Sequence, residues 1–195
     1  MHPLGDLTRS FAGWSGIIAG KPTARDEFHT DRAGFVTAAV TLALAILLSL
    51  AVQSAGAGMP TLFQLLYAIF AQALTMTLLV VGVTRLLRFL QLEIAPNILL
   101  VPVLYVLSYA FVIGIPLTLL GPLALLVPLA LTGLIWRAGM VIGAMKAMPA
   151  VAVALLCVIV LVVVPNALYM LLSLLPSAWR VPRGAAIDIP RRADG

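Results

Sequence analysis

The stretch GIIAGKPTARDEFHTD, Gly16 to Asp31, holds the residue types in this chain that could do chemistry. Gly16, Gly20 and Lys21 approach the phosphate-binding pattern G-x-x-x-x-G-K-[ST]. There, backbone amides cradle phosphate, a lysine neutralises it and a hydroxyl holds magnesium. Three departures remove that reading: only three residues separate the glycines, Pro22 takes the hydroxyl position and deletes an amide, and no buried strand precedes the motif. No nucleotide is expected. Asp26, Glu27, His29 and Asp31 follow as an acid–histidine group that could in principle ligate a divalent ion. A catalytic zinc usually has three well-placed protein ligands, and the only other histidine is His2. The plainer reading is a solvated headgroup-level turn whose Thr30 or Asp31 caps the first membrane helix. No metal, cofactor or catalytic residue is assigned.

A second polar set lies inside the apolar part of the chain. Gln64, Gln72 and Thr75 share one face of a helix, and Tyr105, Ser108 and Tyr109 form a similar group on the next. Both could line a pore or hold a ligand; alternatively they hydrogen-bond between helices, each bond contributing about 0.6–2 kcal/mol. Asn166 follows Pro165, and its amide could satisfy a carbonyl that the proline frees. Asp, Glu, Lys, Arg and His are absent from the core of every apolar run. This argues against a proton-coupled carrier, because such residues mark proton relays and ion-coupled transport. Cys157 is the single cysteine, which excludes an intramolecular disulfide and a cysteine-rich metal site.

The elements that carry these residues follow from composition. Of 195 residues, 63% are hydrophobic and 10% charged, and the mean hydropathy is +1.14. A soluble domain carries about 25% charge, so this chain cannot cover itself with a water-facing surface. Runs such as AVAVALLCVIVLVVV are apolar on every face, unlike the alternating segments of a β-barrel. The expected fold is an all-α polytopic transmembrane bundle. Five spans are predicted near residues 34–53, 61–84, 97–116, 119–136 and 149–175. Residues 1–33 form a cytoplasmic segment and 176–195 an Arg/Pro-rich tail. Because the first long apolar run begins at Gly34, after charge, no cleavable signal peptide is read. Pro102, Pro116, Pro122 and Pro128 should kink or end helices in the central hairpin.

The net charge of +5 reads as topology rather than as a nucleic-acid surface. With the N-terminus inside, cytoplasmic segments carry Arg9, Lys21, Arg25, Arg32, Arg85, Arg88, Arg137 and Lys146, while both outer loops carry none. That asymmetry predicts a bacterial cytoplasmic (inner) membrane protein with a cytoplasmic N-terminus. Five spans would then place Arg180, Arg183, Arg191 and Arg192 outside, unless Pro165–Asn166 splits the last segment into a re-entrant hairpin; a continuous span is preferred. Before the first span, Leu4, Leu7, Phe11, Trp14 and Ile18 recur at intervals of 3, 4, 3 and 4, one face of a helix. Gly20 and Pro22 stop it. Such a helix lies in the headgroup plane or packs on the protein's own cytoplasmic face. Gly139 and Gly143 in GMVIG have the spacing that lets helices approach closely.

The polar lead-in GKPTARDEFHTDRAGFVTAAV and the basic, small-residue loop before the last span in LIWRAGMVIGAMKAMPAVAVALLCVIV complete a layout. It is an interfacial helix followed by about five close-set spans, and it resembles the Yip (Ypt-interacting protein) family and its bacterial relatives. The resemblance covers most of residues 1–175 and implies a non-enzymatic integral membrane protein. Eukaryotic Yip proteins are implicated in vesicle trafficking and bind small GTPases, but no binding residue transfers to this chain. The favoured function is a non-catalytic membrane scaffold or accessory subunit acting through lipid and partner contacts. Its partners would be the bilayer and a homo-oligomer or larger membrane complex. A small facilitator or channel is the alternative, and a membrane-embedded enzyme the third.

Overall fold

A computed structural model describes residues 3–57, 62–117 and 126–173. The tail and its arginines lie outside the described residues, as does the expected connection at 118–125. Six α-helices are described: α1 (Pro3–Ile18), α2 (Arg32–Ala57), α3 (Leu62–Phe89), α4 (Pro96–Leu117), α5 (Leu126–Val141) and α6 (Ala147–Ser173). A 3-10 turn, Pro22–Glu27, sits between α1 and α2. No strand occurs among the described residues.

Four helices, α2, α3, α4 and α6, are long and apolar enough to cross a bilayer, and α5 is a shorter apolar helix of 16 residues. Four helices of spanning length and one shorter apolar helix accord with about five spans. The boundaries differ from the expected ones at the ends. The helix α2 continues through Ala57, so SAGA is helical rather than loop. Likewise α3 continues to Phe89, which puts Arg85 and Arg88 on helix rather than in a connection. Nothing in those residues breaks a helix, and hydropathy alone marks only where hydrocarbon gives way to water.

The bundle is organised around α4. Its residues from Leu99 to Ser108 are buried without interruption, because α2, α3, α5 and α1 each pack against it. Pro102 does not end it; the helix is continuous from Pro96 to Leu117. Pro96 and Pro128 instead stand in the first turns of α4 and α5, where no helical N–H is lost. The outer helix α6 packs on α3 and α5.

A seam of small residues lets α5 and α6 approach. Ala138, Ala150, Ala154 and Cys157 are fully buried, and a methyl group on Gly139 would stand 3.1 Å from the Ala150 methyl. Gly143, the second glycine of GMVIG, faces Leu99 of α4 and the Gly139 carbonyl. Close approach matters here because lipid tails are as apolar as leucine, so packing rather than hydrophobic exclusion holds such helices together.

The last helix runs unbroken through Pro165, which agrees with a continuous span as far as Ser173. Asn166 donates its side-chain amide to the Val162 carbonyl at 2.7 Å. The carbonyl that Pro165 frees belongs to Leu161, so the amide caps the neighbouring carbonyl instead. Two helices end on residues in the left-handed conformation that are not glycine: Gln91 (φ 53°) after α3 and Ala144 (φ 47°) after α5.

Candidate functional site

The polar stretch at the N-terminus folds into a cap docked on α4 and α5. Gly20 adopts φ 74°, its N–H donates to the Ile17 carbonyl, and the Lys21 N–H donates to that of Gly16. This left-handed stop satisfies the last carbonyls of α1, and Pro22 then opens the 3-10 turn that doubles back under the helix. The return is close because α1 has no side chains in the way. A Cβ on Gly13 would stand 2.5 Å from the Phe28 ring, and one on Gly16 would stand 2.9 Å from the Ala24 methyl. Phe28, itself buried, meets Trp14 edge-to-face at 6.4 Å and Tyr105 of α4 at 6.5 Å.

Polar contacts fix the middle and the C-terminal end of α1 to different helices. The Ser10 hydroxyl is 2.5 Å from the Tyr109 hydroxyl, and both can donate to the Leu7 carbonyl. At the C-terminal end, Arg137 of α5 donates Nε–H to the Ile17 carbonyl at 3.4 Å. Ile17 is fully buried. Thus α1 straddles α4 and α5.

The docked face is not the stripe read from the sequence. Trp14 is buried and Leu7 half-buried, but Phe11 is 70% and Ile18 62% exposed, and the side chain of Leu4 lies outside the described residues. The inward face is Ser10, Gly13, Trp14 and Ile17. Small residues at 10, 13 and 16 admit Phe28 and Ala24, and that fit outweighs the larger apolar area on the neighbouring stripe. The three-residue spacing of Ser10, Gly13 and Gly16 was the signal for it. Phe28 and Ile17 stand outside the apolar stripe and carry no local signal of their place in the cap.

The acid–histidine group is dispersed by this geometry. His29 Nδ1 stands 3.4 Å from Asp6, and its other ring nitrogen 3.2 Å from Arg9, both on α1. Asp31 accepts the Gly34 N–H at 2.7 Å and so caps α2. Gly34 must be glycine, because any Cβ there would collide with the His29 backbone. Arg25, Asp26, Glu27 and Arg32 are exposed. No group of three metal-ligating side chains occurs among the described residues. The amides of Ala19, Gly20 and Lys21 are all taken by carbonyls of α1, so none is free to cradle a phosphate.

The two intramembrane polar groups do not line a common space. Tyr105 and Ser108 are buried; the Tyr105 ring lies against Phe28 of the cap, Tyr109 bonds α1, and Ser108 donates to the Leu104 carbonyl. Thr75 is buried and donates to the Ala71 carbonyl. Gln72 alone is half-buried in a groove, and the side chain of Gln64 lies outside the described residues.

That groove separates α2 from α3, which make little direct contact among the described residues although they are consecutive, since α2 is anchored on α4 and α3 on α6. Its volume is about 430 Å³, Leu104 of α4 forms part of its lining, and Gln72 is the one amide among otherwise apolar walls. Leu47 and Ile69 on its rims are each 52% exposed, so it opens sideways to the surroundings of the bundle. Compared with protein-family models, curated proteins and solved structures, the chain matches none of them.

Proposed function

We propose that this chain is a non-catalytic integral membrane scaffold or accessory subunit, seated in a bacterial cytoplasmic membrane with its N-terminus inside. The observation that carries the reading is the two-sided helix α1. One face is locked on α4 and α5 through Ser10 and Ile17 and on Phe28 through Trp14, while on the adjoining face Ile18 is exposed and Phe11 is largely exposed, with its ring edge-to-face on Tyr109 of α4 at 6.4 Å. Arg9 is exposed on this helix, Lys21 and Arg25 are exposed in the turn that follows it, and Arg137 donates to its Ile17 carbonyl. An apolar face bordered by cations suits the headgroup region of an anionic leaflet, or a partner helix held there. Where the polar side chains of the opening stretch are paired, they serve structure: Asp31 caps α2, and His29 ties the turn to Asp6 and Arg9 of α1. The Yip-like layout belongs to the same reading.

Gentle detergent extraction followed by pull-down and mass spectrometry tests it. A co-purifying partner or a homo-oligomer, lost in Phe11→Glu or Ile18→Glu, is the expected result. A clean monomer from native membranes would refute the reading. The groove favours one second reading, a facilitator for a small solute, with Gln72 contacting it. In that case Gln72→Leu would change flux in proteoliposomes, and unchanged flux would remove it.

A further inference from the structure

We propose that the groove between α2 and α3 is a lipid site: it holds one acyl chain of an anionic phospholipid, whose phosphate is gripped by Arg32. The inference rests on these helices spanning a bilayer and is independent of the scaffold reading.

Length and volume select the occupant. Along α2 the lining runs from Phe35 to Leu50, about 22 Å at 1.5 Å per residue, which accommodates an acyl chain end to end. The cavity of about 430 Å³ falls within the range of small-molecule sites, about 300–1,000 Å³. A helix of the same length, about 10 Å across, fills roughly 1,700 Å³. A partner's helix, or one from a second copy, would therefore ride on the rim and leave the groove empty. An open apolar groove facing hydrocarbon fills from the bilayer itself.

The walls are shaped to stay open. Ala43 on α2 and Ala73 on α3 line the space and are exposed to it; larger side chains there would close it. Separate anchoring on α4 and α6 stops the two walls from collapsing together.

Charge gives the orientation. Arg32 opens α2, exposed, three residues before Phe35 and seven before Ala39, and so lies on the wall that lines the groove. No ion pair holds it among the described residues; the carboxylate beside it, Asp31, accepts the Gly34 N–H through one oxygen. A guanidinium at the mouth of an apolar channel matches a phosphodiester above a hydrocarbon tail. Gln72, midway along α3, adds a hydrogen-bonding group that a saturated tail does not use, and this separates a lipid from any occupant that needs the amide.

The test uses the full chain in phosphatidylcholine vesicles containing phosphatidylglycerol with a photoreactive acyl chain, with labelled peptides mapped by mass spectrometry. Label should concentrate on the segments Phe35–Leu50 and Ala68–Val80 and fall several-fold in Ala43→Phe and, independently, in Ala73→Leu. Both alanines are exposed, so folding survives at least one of these changes. Arg32→Gln should reduce the preference for phosphatidylglycerol over phosphatidylcholine carrying the same chain by about fivefold, the worth of one interfacial cation. Gln72→Leu should leave labelling unchanged or raise it. Four results would overturn the proposal. They are label spread evenly over lipid-facing positions such as Leu155 and Ile159, indifference to both groove-filling variants, no preference for the anionic lipid, or loss of label in Gln72→Leu.

Discussion

Replacing Gly13 by alanine should loosen the cap, although the same change in an open helix tightens it. Inside a helix, alanine is ordinarily favoured over glycine by about 0.5–1 kcal/mol, because glycine loses more backbone freedom on folding. At Gly13 the new methyl would stand 2.5 Å from Phe28 Cε2 and 2.7 Å from Cζ. The ring cannot swing aside cheaply, since Trp14 and Tyr105 hold it at 6.4 and 6.5 Å. Expelling it forfeits about 1.5–3 kcal/mol of burial and about 0.5–1.5 kcal/mol of aromatic pairing. Against the helix gain, the docked state should lose about 2 kcal/mol. Local opening would then rise about 30-fold, since each 1.36 kcal/mol is a factor of ten. Hydrogen exchange of the segment from Trp14 to Phe28, followed by mass spectrometry in nanodiscs, reads that opening directly. Gly133→Ala is the control, because a Cβ there meets nothing within 4 Å, and its helix should exchange at the same rate or more slowly. If Gly13→Ala behaves like this control, Phe28 is not seated under α1 and the account of the cap fails.

Four further outcomes follow from the same packing. Ala144→Gly and Gln91→Gly should each stabilise by about 1 kcal/mol, because both residues sit at positive φ, where an L side chain costs about 1–2 kcal/mol; unfolding in a denaturing detergent checks this, and a loss at both would contradict the assigned helix ends. Gly139→Leu should lower the midpoint of thermal unfolding sharply by prying α6 from α5, whereas Gly114→Leu, whose Cβ meets nothing, should leave it unchanged. Asp31→Ala should cost about 1 kcal/mol as a lost N-cap and speed exchange at the Gly34 amide, and Asp31→Ser should restore most of it. Trp14 is buried with its indole N–H lacking a partner among the described residues. Trp14→Phe should therefore shift stability by no more than about 1 kcal/mol, since the unmet donor it removes offsets lost packing, while Trp14→Ala should cost about 3–5 kcal/mol.

Hydropathy and local backbone chemistry act over short stretches, and what they control is written in the order of residues. An all-helical chain with about five apolar runs, cations at their ends, a stop at Gly20 and a cap at Thr30 or Asp31 is legible residue by residue, because each depends on neighbours within one or two turns; the Gly34 N–H then selects Asp31. The choice among faces came from long-range packing. The stripe Leu4–Leu7–Phe11–Trp14–Ile18 is the more apolar side of α1, yet Ser10, Gly13 and Ile17 turn inward with Trp14, because a partner ring from Phe28 fits there. Tyr105 and Tyr109 looked like companions of Gln72 and Thr75, but they face the cap, since α1 returns to cover α4. The groove between α2 and α3 has no local signature, because it exists through the attachment of those helices to different neighbours. In surroundings as apolar as the helices themselves, burial does not discriminate between faces and close fit does. That fit is a property of residue pairs far apart in the chain, such as Gly13 with Phe28 or Gly139 with Ala150, which meet only when the whole bundle is assembled.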